Sequence, residues 1–368
     1  MNLYNQLPAL IRASLNGDKR TVELAANSIL RKLKKDNPKI GEEIADIIAN
    51  YNAGAPVTRS MGVNAPPLDK DSFNSLVNIT DYTLFDKEII LDSEVENKVQ
   101  RFLKERELAN KLIVNGIKPP NSLILSGAPG VGKTLLSTYI AAKLCLPLVT
   151  IDLSASISSY LGKTGQNLKK VLDYGKENPA VLFLDEFDAI AKRRDDPTDL
   201  GELKRIVNVL LKELEEWPNH SIIIGATNHP EFLDRAIWRR FDLKIEIPLP
   251  NENQRFELWS SKFNNDFSKV SESFLQAISV AIEEISPSDI NQISEKVLRQ
   301  IIVDNVDPIV TIIQELKDFY KGDRAIFNKH MILALKDSDK TLSQAKIAKI
   351  LGISPSTVNH HLSSIKGK

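Results

Sequence analysis

Cysteine is nearly absent from this chain of 368 residues. Cys145 is the only one, which excludes an intrachain disulfide and any zinc site built on cysteine pairs. A reducing, cytoplasmic setting is the expectation that follows. Charge of one sign is equally lacking, since Lys+Arg and Asp+Glu both total 48, so no global excess points to nucleic acid, a membrane surface or an acidic substrate. Long apolar runs are missing too, none approaching the roughly 18 residues of a membrane span. The opening MNLYNQLPALIRASL has no cationic start and meets Arg12 before an apolar stretch long enough for a signal peptide. Neither export nor a membrane partner is expected. What is present, 42% hydrophobic and 26% charged residues, is the mixture of a soluble globular protein rather than a disordered one. The length predicts two or three domains at roughly 100–200 residues each.

Apolar residues recur at helical spacing from Leu7 to Ile48, including Val22, Ile29, Leu33, Ile40, Ile44 and Ile48, which predicts a helical module over 1–50. Gly54, Pro56, Gly62, Pro66 and Pro67 break any regular element after it, so 51–80 reads as a linker or an irregular docking strand. Over 81–250, five apolar runs alternate with helical patterns: Leu123–Ser126, Leu148–Leu153, Ala180–Leu184, Ser221–Gly225 and Leu243–Leu249. The alternation predicts an α/β fold with a five-stranded parallel sheet and crossover helices. Beyond Pro248 and Pro250 the pattern is wholly helical, with stretches near 252–263, 274–284, 288–304 and 308–320. These make a helical lid over 251–321, followed by a carboxyl-terminal helix-turn-helix segment over 322–368.

Between the first apolar run and the helical pattern LLSTYIAAKL lies GAPGVGKT, Gly127 to Thr134, a phosphate-binding loop in the strand–loop–helix context its chemistry requires. Gly127, Gly130 and Gly132 let backbone N–H groups turn inward around phosphate oxygens, with Ala128, Pro129, Val131 and Leu135 completing the cradle. Lys133 is placed to reach the β- and γ-phosphates of ATP, and Thr134 to offer its hydroxyl to Mg²⁺. AVLFLDEFDAI, Ala180 to Ile190, is an apolar strand ending in Asp185 and Glu186, two carboxylates at the carboxyl edge of the sheet. Asp185 would orient the magnesium ion, and Glu186 would polarise the water that attacks the γ-phosphate, which favours hydrolysis over transfer. The alternative makes Glu186 and Asp188 a solvated acidic helix start.

Together these motifs, in this order, closely resemble the AAA ATPase family from about Glu88 to Asp304. The resemblance implies a P-loop NTPase sheet with a helical lid. It implies that IGATNHP, Ile224 to Pro230, is a sensor strand with Asn228 on the attacking water or γ-phosphate. It likewise implies that Arg239 and Arg240, in LDRAIWRRFDLKIEIPLP, are arginine fingers acting on a neighbouring subunit, so that the working form is a homo-hexameric ring. Such a guanidinium is worth about 10³–10⁵ in rate; the alternative for the pair is surface ion pairing, which contributes little. Tyr160, Leu161 and Gly162 match the family's aromatic–aliphatic–glycine pore loop, with Lys163 at its edge, although Tyr160 packing on its own subunit is the competing placement. A second pore loop falls within 195–202. Two departures stand out: EIILDSEVENK replaces the usual aliphatic–glycine pair before the adenine, and SPSDI, Ser286 to Ile290, replaces Gly-Ala-Asp-Ile in the lid.

The neutral total hides a basic end. From Lys340 to Lys368 there are five lysines and no acid, and Ile347, Ala348, Leu351, Ile353, Val358 and Leu362 carry the apolar positions of a helix-turn-helix turning at Gly352. The segment resembles those of LuxR-type regulators and sigma-factor carboxyl-terminal domains. Ser356, Thr357, Asn359 and His360 could then reach base edges of DNA; alternatively the hairpin packs on the lid or a partner.

Three functions remain open on the sequence: a ring that remodels or unfolds a protein substrate, a DNA-directed ATPase, and a nucleotide-gated scaffold. No HExxH motif or serine or cysteine nucleophile constellation for peptide hydrolysis is present. Proteolysis would therefore need a separate protease subunit, and the amino-terminal layout loosely resembles bacterial AAA proteins paired with subtilisin-like proteases.

Overall fold

The computed structural model describes residues 66–68, 75–80, 85, 89–153, 164–189, 200–263 and 270–366. The predicted helical module over 1–50, most of the 51–80 segment, and Tyr160, Leu161, Gly162 and Lys163 lie outside these residues, as does most of 195–202.

Six strands form one sheet: β1 (Asn78–Thr80), β2 (Ser122–Ser126), β3 (Leu148–Asp152), β4 (Val181–Asp185), β5 (Ile222–Thr227) and β6 (Leu243–Glu246). Their order is β1-β3-β4-β5-β2-β6. β2 to β6 are parallel, with Asp152 opposite Asp185 and Ser126 opposite Thr227. β1 runs antiparallel on the edge, pairing Ile79 with Val149. The expected five-stranded parallel sheet is therefore a mixed sheet of six. Three residues are too few to show a period of two, so an edge strand of that length leaves no apolar signature.

Strand side chains alternate between two cores. On β2, Leu123 and Leu125 face one side and Ile124 the other; on β4, Val181 and Phe183 oppose Leu182 and Leu184; on β5, Ile222 and Ile224 oppose Ile223. The first face is covered by Val95, Val99 and Phe102 of α1 (Ser93–Glu107) and by Leu136, Ile140 and Ala141 of α3 (Lys133–Lys143); the short α2 (Ala109–Val114) lies between them in sequence. The second is covered by Leu168, Val171 and Leu172 of α4 (Thr164–Glu177) and by Ile206, Val207 and Leu210 of α5 (Leu200–Glu215). Strands buried on both faces explain why the runs read as continuously apolar. After β5 a single helical turn, α6 (Arg235–Trp238), leads into β6.

The carboxyl-terminal third is a second, all-helical body: α7 (Glu252–Phe263), α8 (Glu272–Ala281), α9 (Pro287–Asp304), α10 (Pro308–Phe319), α11 (Arg324–Ser338), α12 (Gln344–Leu351) and α13 (Pro355–Lys366). One continuous core runs from Trp259 and Phe274 through Ile312 and Met331 to Leu351 and Val358. The 251–321 and 322–368 segments thus share their packing, because α11 lays Phe327, Met331 and Leu335 into the same core as Phe274 and Ile278 of α8. Local signals set the starts of these helices. Asp307 and Asp323 cap α10 and α11 with Pro308 following the first cap, and Ser286 with Asp289 closes a capping box at α9.

Candidate active site

The loop between β2 and α3 is held by backbone geometry that only glycine accepts readily. Gly127, Gly130 and Gly132 have φ of 148°, 80° and 103°, left-handed territory where a Cβ is strained. At Gly127 a Cβ would also strike the carbonyl oxygen of Ile247, just beyond β6. Gly130 is closed from the lid side: its Cβ would lie 2.5 Å from Ser286 Oγ and 2.8 Å from Ser288 Cβ. There the Ser288 N–H donates to Gly130 O at 3.1 Å, so the amino terminus of α9 sits on the crest of the loop. This places the departing lid motif SPSDI in contact with the phosphate loop. Ala128, Pro129 and Gly130 are exposed, and Val131 is buried beneath them.

Lys133 begins α3 and is 8% exposed. Its ammonium donates to Gly127 O at 2.8 Å, Ala128 O at 3.0 Å and Asn228 Oδ1 at 2.6 Å, so all three of its protons are engaged. Burial lowers its pKa, opposed by the charges of Asp185 and Asp188. Asn228 directly follows β5, and the structure thus joins the loop lysine to the neighbouring strand end. Thr134 and Leu135 are exposed on the first turn of α3.

Asp185 closes β4, where desolvation raises its pKa, with Glu186 and Asp152 acting in the same direction; a hydrogen bond from the Glu186 N–H (2.9 Å) and the charge of Lys133 oppose this. Glu186 itself is exposed and holds φ of 51°, a conformation that costs a non-glycine residue on the order of 1–3 kcal/mol. That turn lets the Phe187 N–H reach Ala226 O at 2.8 Å and drops Phe187 into the core against Phe241. Glu186 is thereby left at the surface of the site, while Asp188 is buried, 4% exposed. A solvated acidic start therefore describes Glu186 but not Asp188. The role of Asp188 beside Lys133 was not legible in sequence, because its burial depends on the turn at Glu186.

Hard-oxygen ligands are what magnesium prefers, usually with one or two protein oxygens plus phosphates rather than a full protein cage. The Thr134 hydroxyl and Asp185 carboxylate fit that donor set, and no cluster of three or more His, Cys, Asp or Glu side chains able to hold a metal occurs among the described residues.

Arg239 and Arg240 stand elsewhere. Arg240 follows α6, and its carbonyl accepts from Ser122 Oγ at 3.4 Å, at the start of β2. The phosphate loop leaves from Ser126 at the other end of that strand, roughly 13 Å away at about 3.3 Å per residue. Asp242 pins this edge: its Oδ2 accepts from Asn121 N (2.9 Å), Ser122 N (3.2 Å) and Ser122 Oγ (2.8 Å). Arg240 pairs with Glu215 of α5, both about half exposed, and Arg239 is exposed with no side-chain partner among the described residues. The structure therefore brings Lys133, Asn228, Asp185 and Glu186 to one edge of the sheet and leaves both arginines at the opposite one.

Residues 123–249 match the model of the ATPase family associated with various cellular activities (AAA). An AAA family ATPase of Sinorhizobium fredii is 35% identical over 218 residues, covering 59% of this chain and 65% of the relative. A proteasome-activating nucleotidase of Methanothermobacter thermautotrophicus is 38% identical over 172 residues, 45% of this chain and 41% of the relative. A 26S proteasome subunit of Saccharomyces cerevisiae is 36% identical over 173 residues, 45% of this chain and 39% of the relative. The chain thus spans less than two thirds of the length of each of these relatives. The segment that matches the AAA model, residues 123–249, contains the loop, both carboxylates, Asn228 and the arginine pair.

Proposed function

We propose that this protein hydrolyses Mg²⁺-bound ATP in a homo-hexameric ring and uses the cycle to remodel or unfold a protein substrate. The observation that carries the reading is the separation of the phosphate-binding group from the arginines. Lys133 and Asn228 are joined at one edge of the sheet while Arg239 and Arg240 present themselves at the other, so the site lacks its transition-state cation until a second copy supplies it.

Within the site, Lys133 and the backbone N–H groups of Gly127 to Thr134 bind and orient the phosphates. Bound Mg²⁺ would neutralise phosphate charge, held by Thr134 and Asp185. Glu186 takes a proton from the attacking water, and Asn228, released from Lys133, positions that water or the γ-phosphate. The Arg240–Glu215 pair is worth only about 0–1 kcal/mol at such exposure, so Arg240 can exchange it for a neighbour's phosphate at little cost. In this reading Tyr160, Leu161 and Gly162 serve to grip extended polypeptide at a central pore, an aromatic ring giving adhesion without sequence demand. The relatives named for proteasome activation support a protein substrate with a separate protease subunit as the downstream partner, and the single cysteine supports a reducing, cytoplasmic setting.

Stimulation by substrate tests this reading. An unfolded protein such as reduced, alkylated lactalbumin should accelerate ATP turnover in the native chain. Tyr160→Ala should hydrolyse ATP at the basal rate without that acceleration. Equal rates with and without unfolded protein would contradict the unfoldase reading and favour a nucleotide-gated scaffold.

A further inference from the structure

The last two helices present a surface that the ATPase site does not use. α12 and α13 are joined through Gly352, which adopts φ of 65° and closes α12, while Ser354 caps α13 through the Thr357 N–H at 3.1 Å and Pro355 begins it. Ile347, Ala348, Leu351 and Val358 are buried in the helical core. Packing thereby fixes which face of α13 is left outside: Ser356, Asn359, His360 and Ser363, all exposed, recur at i, i+3, i+4 and i+7. Thr357 is half-buried, and its hydroxyl is bonded to Ser354 Oγ at 2.8 Å; it belongs to the cap rather than to the exposed stripe.

Two observations point to the chemistry this face would meet. The first is charge: five lysines and no acid occur from Lys340 to the end, and Lys340, Lys346 and Lys349 are exposed. The nearest acids in sequence, Asp337 and Asp339, lie at the end of α11, and Asp339 is taken up by the Thr341 N–H and hydroxyl. The second is orientation. Gln344, the first residue of α12, donates from Nε2 to Asn359 Oδ1 at 3.2 Å. An exposed amide held by a neighbouring amide keeps one acceptor lone pair and two donors, with its rotation restricted. That is the complement of the acceptor and donor that adenine shows in the major groove.

We propose that α12 and α13 bind duplex DNA, α13 entering the major groove with Asn359 as the adenine-reading side chain. Gln344 is a positioning residue for Asn359, and Lys346 and Lys349 meet phosphates and carry affinity without sequence preference. The proposal goes beyond the ATPase reading and does not depend on it, since binding is measured without nucleotide.

Fluorescence anisotropy of the full chain with a fluorescein-labelled duplex pool of about 24 random base pairs, from about 50 to 200 mM salt, tests the electrostatic part. Binding should weaken steeply with salt, and the double variant Lys346→Glu, Lys349→Glu should bind about 10-fold or more weakly, with a log–log slope shallower by about 2. Repeated selection from the same pool tests the reading residue. The native chain should enrich an adenine-containing site that it prefers by about 10-fold or more. Asn359→Ala should bind the random pool as before but lose that preference, and Gln344→Ala should lose part of it. No salt-sensitive binding at the lower salt, equal binding to single-stranded RNA of the same length, or an unchanged double variant would overturn the proposal and leave the face to a protein partner.

Discussion

Lys133 Nζ lies 2.6 Å from Asn228 Oδ1, closing a bond between the helix that follows the phosphate loop and the strand that ends beside it. The lysine's other two protons go to carbonyls of the loop itself. In the proposed cycle, phosphate binding exchanges these contacts and frees Asn228 as the γ-phosphate arrives. Each contact to the buried ammonium is a charge-assisted hydrogen bond worth about 1.5–3 kcal/mol. Lys133→Ala should weaken ATP binding by about 10–100-fold, measured by equilibrium titration with a fluorescent ATP analogue. Asn228→Ala should lower turnover with a much smaller effect on that affinity.

Gly127 is fixed by a neighbour as well as by its own φ, because the Ile247 carbonyl occupies the place a side chain would take. Gly127→Ala should destabilise the domain by at least about 2 kcal/mol, combining left-handed strain with a backbone collision. Chemical denaturation reads this directly. Gly130→Ala collides with Ser286 and Ser288 instead, so it should loosen the lid from the loop and cost less in stability than Gly127→Ala.

Asp242 ties the first residues of β2 to the turn that carries the arginines, accepting three hydrogen bonds from Asn121 and Ser122. Asp242→Ala should cost about 1–3 kcal/mol and should lower turnover further than nucleotide affinity, since the arginine pair would lose its anchored base. Comparing denaturation midpoints with kcat and ATP affinity separates the two effects.

Burial and neighbouring carboxylates raise the pKa of Asp185 above its usual value. The folded state therefore binds a proton more readily there than the unfolded chain does. At neutral pH the ionised carboxylate is a stability cost in the nucleotide-free protein, and that cost is relieved as pH falls through the raised value toward the ordinary aspartate range. Asp185→Asn should raise the melting temperature of the nucleotide-free protein at pH 7, with the gain shrinking at acid pH. The same variant should lose magnesium-dependent stabilisation by ATP.

Much of the architecture was legible because the physics behind it is local. The predicted helix near 252–263 coincides with α7, and 288–304 and 308–320 agree with α9 and α10 to within one residue at either end, since prolines, aspartate and serine caps mark those ends. The parallel strands were visible as apolar runs because both faces are covered. What escaped depends on contacts distant in sequence. β1 lies within the 51–80 segment read as a linker or an irregular docking strand, but at three residues it has no period that would fix its bounds. The burial of Asp188 follows from the left-handed turn at Glu186, and the seating of Ser288 on Gly130 follows from how the lid meets the loop. That α11 to α13 share a core with the lid also lies beyond periodicity, which shows that a helix has an apolar face but not which element covers it.

Mixing two inactive variants tests the central claim most directly. On the proposed mechanism, Glu186→Gln keeps its arginines but cannot activate water, whereas the Arg239→Ala, Arg240→Ala protein keeps its own carboxylates but cannot serve a neighbour. Each alone should fall by about 10³-fold or more in turnover. Combined in equal amounts, they should recover a substantial fraction of native activity, because intact arginines of one variant then face the intact carboxylates of the other. Mixtures no more active than the sum of their parts, together with native turnover per chain that does not change on dilution to monomer, would contradict a site completed between subunits.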